Sequence, residues 1–320
     1  MERVEDGINH NRRLGTWDAE APAARGMAEM GGVPMSVHGV IDSLAVGLGA
    51  RFMPKYFRDG YRSENVVEHL ESVSIDFPQF TGEGDYEISA DTSVGTLCAA
   101  VRVAQYIGDN SPWVIYHHGA AEIPFDYGFR RIFPLAKQPI EANLLLVRAP
   151  FHESMKEFQR GIRTLANLVA MMAVSTSVIE HLVQRGREAG ADKILVAGTS
   201  LGGFITNLHH IHFNTADIYT PLLAGLAMED AYLYSAYSKA TAPAAKENPR
   251  AIASVLNFTE AFAAVDHSNV FPLLAIHDRL VRYEVQKASY GDCTVTTIAK
   301  GHTTGALAYS KLRAHVLSHL

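Results

Sequence analysis

Two cysteines, Cys98 and Cys293, stand in a chain of 320 residues. No disulfide framework beyond a single bridge is possible, so a buried core has to hold the fold. No run of 18 apolar residues occurs, and no membrane-spanning helix is expected. Basic charge is also scarce: 28 Lys and Arg stand against 34 Asp and Glu, a net charge of −6. That balance gives neither nucleic acid nor an anionic membrane an electrostatic reason to bind. Residues 1–25 are charged and lack an apolar stretch of signal-peptide length. Together with the few cysteines this leads to a cytoplasmic expectation, and it makes the sequon Asn257-Phe258-Thr259 a chance match. Internal repeats and low-complexity tracts are missing as well.

Apolar residues are plentiful, at 48% of the chain, enough for one large α/β domain or two small ones. Residues 1–64 read as a polar arm followed by a helical extension, with Val37, Ile41, Leu44 and Leu48 at helical spacing. From residue 65 to 320 strand and helix signals alternate. Strands are expected at 69–80, 97–107, 113–116, 143–148, 194–197, 218–226, 271–276 and 294–299, with a turn cluster at 82–85. Helices are expected at 127–138, 157–189, 202–213, 251–264 and 306–320. Short, continuous apolar strands such as Leu144-Leu145-Leu146-Val147 suit a sheet covered on both faces. The whole reads as an α/β fold: a mostly parallel eight-stranded sheet, its first two strands antiparallel, with helices on both faces. The stretch 227–250, rich in Ala, Tyr, Ser and Lys, reads as a small lid or irregular excursion.

The most informative stretch is Ile194-Leu195-Val196-Ala197-Gly198-Thr199-Ser200-Leu201-Gly202-Gly203. A bare Gly-x-Ser-x-Gly arises by chance in roughly one chain of this length in ten, with glycine at about 7% of residues. Here a β-branched run precedes it and a helical pattern follows. A serine on such a strand-to-helix turn is exposed and sits at a helix N-terminus, where the N–H of Leu201 is free to hold an oxyanion.

A serine nucleophile needs a base, and the base needs an orienting acid. Of the 15 histidines, His302 follows the last expected strand directly, between Gly301 and Gly305. Asp278 lies just past the strand before it; Asp230 and Asp266 are rival acids. The loop after the strand at 113–116, His117-His118-Gly119-Ala120-Ala121, offers the N–H of Ala120 as a second oxyanion donor. Phe125, Tyr127 and Phe151 are candidates for an apolar substrate pocket. Glu122, Arg130 and Arg131 would read a charged substrate group or serve as solvated surface. His209-His210-x-His212 falls on an expected helix, where the three point to different faces, so no metal site is expected.

The order Ser200, Asp278, His302, with His118-Gly119 after a buried strand and Leu280-Val281 behind the acid, resembles the serine hydrolases of the α/β-hydrolase superfamily. The likeness covers residues 65 to 320. It implies an acyl-enzyme mechanism, a small-molecule acyl substrate and no cofactor. His277 stands where members often carry glycine before the acid, and residues 1–60 have no counterpart. Carboxylesterase activity is the first expectation. A non-catalytic scaffold of the same fold, or acyl transfer or lyase chemistry on it, remains open.

Overall fold

The computed structural model describes residues 37–39, 41–42 and 54–320. The polar arm, together with Leu44 and Leu48, therefore lies outside the described residues. Nine strands form one sheet: β1 (Ser74–Asp76), β2 (Gly84–Thr92), β3 (Gly95–Gln105), β4 (Trp113–His117), β5 (Asn143–Arg148), β6 (Ile194–Thr199), β7 (Ile218–Leu222), β8 (Leu273–Ala275) and β9 (Thr296–Ile298). Their order is β1-β2-β3-β5-β4-β6-β7-β8-β9. The first three strands and the β3–β5 pair are antiparallel, whereas β4 to β9 run parallel.

The helices are α1 (Val66–Ser72), α2 (Phe129–Ile132), α3 (Met155–Gly161), α4 (Leu165–Ala189), α5 (Leu201–His212), α6 (Met228–Leu233), α7 (Pro243–Lys246), α8 (Pro249–Leu256), α9 (Thr259–Ala263), α10 (Tyr283–Ser289), α11 (His302–Ala306) and α12 (Tyr309–Leu317). They cover both faces because strand side chains alternate. Ile115, Leu145 and Val196 pack with α4 and α5 residues such as Val174 and Ile205. Val114, Leu144 and Leu195 pack on the other face with Phe129, Leu312 and Val316. By length and composition α4 qualifies to cross a membrane, yet 78% of its apolar window is buried within this body. Its apolarity is that of a core helix.

Several local expectations change, among them the helix at 251–264, which is broken between Leu256 and Thr259 into α8 and α9. Residues 69–72 end a helix instead of starting a strand, because Asn65 and Glu68 form a reciprocal capping box: Asn65 Oδ1 accepts from the N–H of Val67 and Glu68, and Glu68 accepts from the N–H of Asn65. The cluster at 82–85 opens a ninth strand, β2, in which only Ile88 and Ala90 are fully buried, too few to announce it. The pattern at 157–189 is two helices. Thr164 caps the second, and the break admits residues 57–60, with Phe57 N–H on Ile162 O (2.9 Å) and Leu165 N–H on Gly60 O (2.8 Å). At 127–138 helix survives only over Phe129–Ile132, since Pro134 cannot continue it. The segment between β7 and β8 carries α6 to α9 and a 3₁₀ turn, Ala236–Ala240.

Strand order reverses between β5 and β6, on either side of β4. Loops leaving β4 and β6 therefore diverge to opposite faces and open a crevice at the carboxyl edge, where ligands bind in open α/β sheets.

Cys98 lies on β3 and Cys293 precedes β9, with five strands between them in the sheet order, and both are free. Burial and the Glu87 carboxylate push the Cys98 thiol up to about 11, so it is a poor nucleophile at neutral pH. Thiol titration of the denatured, unreduced protein should count two thiols; a count of zero would contradict this strand order.

Candidate active site

Ser200 sits between β6 and α5 with φ 57° and ψ −112°, a backbone conformation that costs a non-glycine residue strain. The surroundings hold it there. Its N–H donates to Leu222 O (2.8 Å), and Thr199 Oγ1 bonds the Tyr116 hydroxyl (2.7 Å). A Cβ on Gly202 would stand 2.2 Å from His117 O, and one on Gly198 2.3 Å from the Gly202 backbone. The strand and helix therefore approach as closely as only glycine permits.

Ser200 Oγ lies 2.9 Å from His302 Nε2, and His302 Nδ1 lies 2.6 Å from Asp278 Oδ2. The other Asp278 oxygen accepts the N–H groups of Leu280 and Val281, each at 2.8 Å. With both oxygens engaged as acceptors, the buried carboxylate has one orientation available. Nδ1–H then donates to Asp278 and leaves Nε2 to accept from the serine. Burial pulls the His302 pKa down, but the charge and hydrogen bond of Asp278, with the charge of Asp42, outweigh it and hold the imidazole above its ordinary value. The rival acids lie elsewhere. Asp230 forms a fork with Arg282, and Asp266 bonds Ser268.

The loop after β4 is fixed from two sides. Glu122 accepts the N–H groups of Gly119 (3.1 Å) and Gly128, a structural task rather than substrate reading. His118 Nδ1–H donates to Gly119 O (2.7 Å), and its Nε2 accepts from Ala149 N–H (3.0 Å). These roles require a neutral imidazole, and burial depresses its pKa accordingly. With Gly119 N–H used by Glu122, the N–H groups of Ala120 and Leu201 remain without a described acceptor, beside a cavity that both residues line.

That cavity, about 180 Å³, has Ser200 and His302 in its wall. Its apolar lining comes from α3, α4 and α5 (Phe158, Met171, Phe204) and from the segment after β7 (Met228, Ala231, Tyr232). Tyr56 and Tyr237 complete it, their hydroxyls bonded to each other.

Phe125, Tyr127 and Phe151 do not line it, which corrects the sequence expectation. The Phe125 ring is held by the guanidinium of Arg102 (5.0 Å). Tyr127 is exposed and stacks on Arg131 (3.5 Å), and Arg130 pairs with Asp126. Phe151 is buried against Gly161, where a Cβ would meet its ring at 2.6 Å. The actual lining comes from residues far apart in sequence, with no local signal. Among the described residues no three His, Cys, Asp or Glu could hold a metal ion. His209 bonds Tyr219 and Glu180, and His210 bonds Asp266 O.

No protein-family model matches the chain, and no curated protein matches it. Solved structures do. An acetyl xylan esterase from Paenibacillus sp. R4 matches with TM-score 0.53 and 10% identity, over 89% of this chain and 95% of that one. Acetyl xylan esterase 1 from Thermoanaerobacterium sp. JW/SL YS485 gives 0.50 and 12%, over 81% and 97%. The acylaminoacyl peptidase of Pyrococcus horikoshii gives 0.51 and 13%, over 73% of this chain and 40% of the peptidase. This chain thus spans about two fifths of the peptidase's length. The likeness is one of fold: the chain has the α/β-hydrolase fold.

Gly202→Ala should be destabilising by at least about 1–3 kcal/mol, the usual cost of overpacking, because its methyl meets backbone that cannot rotate away. Thermal or urea unfolding measures it, and a variant as stable as wild type would refute the close approach.

Proposed function

We propose that the protein is a serine hydrolase that cleaves a carboxylic ester, or a thioester or amide, through an acyl-enzyme on Ser200. The observation that carries this reading is the continuous hydrogen-bonded chain from Ser200 through His302 to Asp278, with Ser200 and His302 in the wall of an apolar cavity. Ser200 Oγ attacks the carbonyl carbon while His302 Nε2 takes its proton. Asp278 fixes the tautomer and stabilises the imidazolium without itself being protonated. The carbonyl oxygen, now charged, accepts from Ala120 and Leu201 N–H, with the positive end of the twelve-residue α5 behind them. His302 then protonates the leaving group. Water, deprotonated by the same Nε2, attacks the acyl-enzyme and frees Ser200.

The cavity bounds the substrate. An engineered apolar cavity of about 150 Å³ holds benzene. A cavity of about 180 Å³ therefore suits an apolar group of about six carbons. Among the described residues its lining carries no Lys, Arg, Asp or Glu, so esters with an ionised acyl or alkyl part should be poor substrates.

Ser200→Ala should abolish labelling by a fluorophosphonate probe and reduce kcat on an ester panel by about 10⁶. Retention of more than about a tenth of wild-type turnover would remove Ser200 from the mechanism.

Asp278→Asn should lower kcat by about 10³–10⁴, the size of a wrong-tautomer effect. Asp230→Asn, which touches only the Arg282 pair, should cost less than about tenfold. The reverse ranking on one ester would move the acid to Asp230. In wild type, kcat/KM should fall as pH drops, since the base must be neutral, with its midpoint above the usual 6.5 of histidine because His302 is raised.

A further inference from the structure

The segment ahead of the sheet reaches the triad. Residues 37–39 and 41–42 are helical, and the sequence expectation that Val37 and Ile41 form its packed face is corrected: both are exposed. Polar residues make the contact instead. His38 Nδ1 bonds Thr304 Oγ1 (3.1 Å), and its ring stacks with His277. Asp42 is fully buried. Its Oδ2 accepts the N–H of His302 (2.8 Å) and of Arg279 (3.4 Å), and its Oδ1 the N–H of Thr303 (2.9 Å). All its described partners are backbone N–H groups. They belong to the two loops that deliver the base and its acid.

We infer that Asp42 is a positioning residue for His302: its carboxylate clamps the loop that presents the imidazole to Ser200 and ties it to the loop carrying Asp278. Gly301 is part of the same device. A Cβ there would stand 2.6 Å from Asp42 Oδ2 and 3.0 Å from His38 O. Its φ of −88° is one any residue adopts, so glycine is required for space. The fit costs the burial of a carboxylate that Asn or Ser would not incur, which separates this arrangement from an ordinary loop anchor. The charge also lies close to an imidazole that becomes positive during the reaction. Asp42 thereby adds to Asp278 in favouring the protonated form. Among the described residues the other titratable or charged groups around His302 are Asp278 itself, His38 on the segment of Asp42, His277 and Arg279 on the loop after β8, and Lys300 on the loop of His302.

The kinetic part rests on the hydrolase reading; the titration does not. Asp42→Asn keeps the volume but loses the charge and one acceptor. We expect kcat to fall by about ten- to a hundredfold with KM within about twofold, as for a base displaced by about 1 Å. The His302 midpoint, followed by NMR of histidine-labelled protein, should move down. Gly301→Ala keeps the charge and displaces the clamp. It should lower kcat similarly while the NMR midpoint moves less, and it serves if Asp42→Asn does not fold. An Asp42→Asn enzyme with kcat within twofold of wild type, or with an unmoved His302 midpoint, overturns the inference. If wild type neither takes up fluorophosphonate nor cleaves any ester, the hydrolase reading fails, and the midpoint alone then decides Asp42.

Discussion

The close approach of β6 and α5 at Ser200 governs the rest of the site. The turn is tight enough that a methyl group on Gly198 or Gly202 would lie inside van der Waals contact with backbone. That tightness forces Ser200 to a positive φ, lifts its hydroxyl clear of the sheet and aims the first N–H groups of α5 at the same space. Strain of this kind survives only where the surroundings over-determine it. Here the fully buried strands β4 and β6 do so from below, and the Leu222 carbonyl from the side.

The same logic recurs around the base. Neither Asp278 nor His118 has an unused acceptor through which to reorient. Each side chain is specified by hydrogen bonds to backbone that cannot move without disturbing the sheet edge. Preorganisation is therefore built from backbone N–H and C=O groups, which are stiffer than side chains. A low-dielectric wall around them strengthens each bond. The apolar lining from α3, α4 and the segment after β7 supplies that wall.

How much of this was legible in sequence depended on the range of the physical cause. Gly-x-Ser-x-Gly after a β-branched run is a local signal with a local cause, so Ser200 and its helix could be read directly. Asp278 and His302 were legible because each follows a buried strand whose apolar run is itself local, and parallel strands carry their ends to one edge. The capping box at Asn65 and Glu68 was also in the sequence and outweighed the apparent alternation at 69–72, since three satisfied N–H groups favour a helix start. β2 was hidden because only two of its nine residues, Ile88 and Ala90, are buried.

The sequence alone determined the class of fold, the serine turn and the chain order of the three polar residues, since these follow from periodicity and from the conformational limits of single residues. Only the tertiary structure decided which aromatics face the cavity and which acid faces the base. Phe125 and Phe151 have the right chemistry but are drawn away by Arg102 and by Gly161, while Tyr56 and Tyr232, 176 positions apart in the chain, are brought in to one wall. Asp42 is the extreme case: it stands 260 positions from the N–H it accepts. No local pattern encodes such a contact, because its energy exists only once the sheet has brought the two segments together.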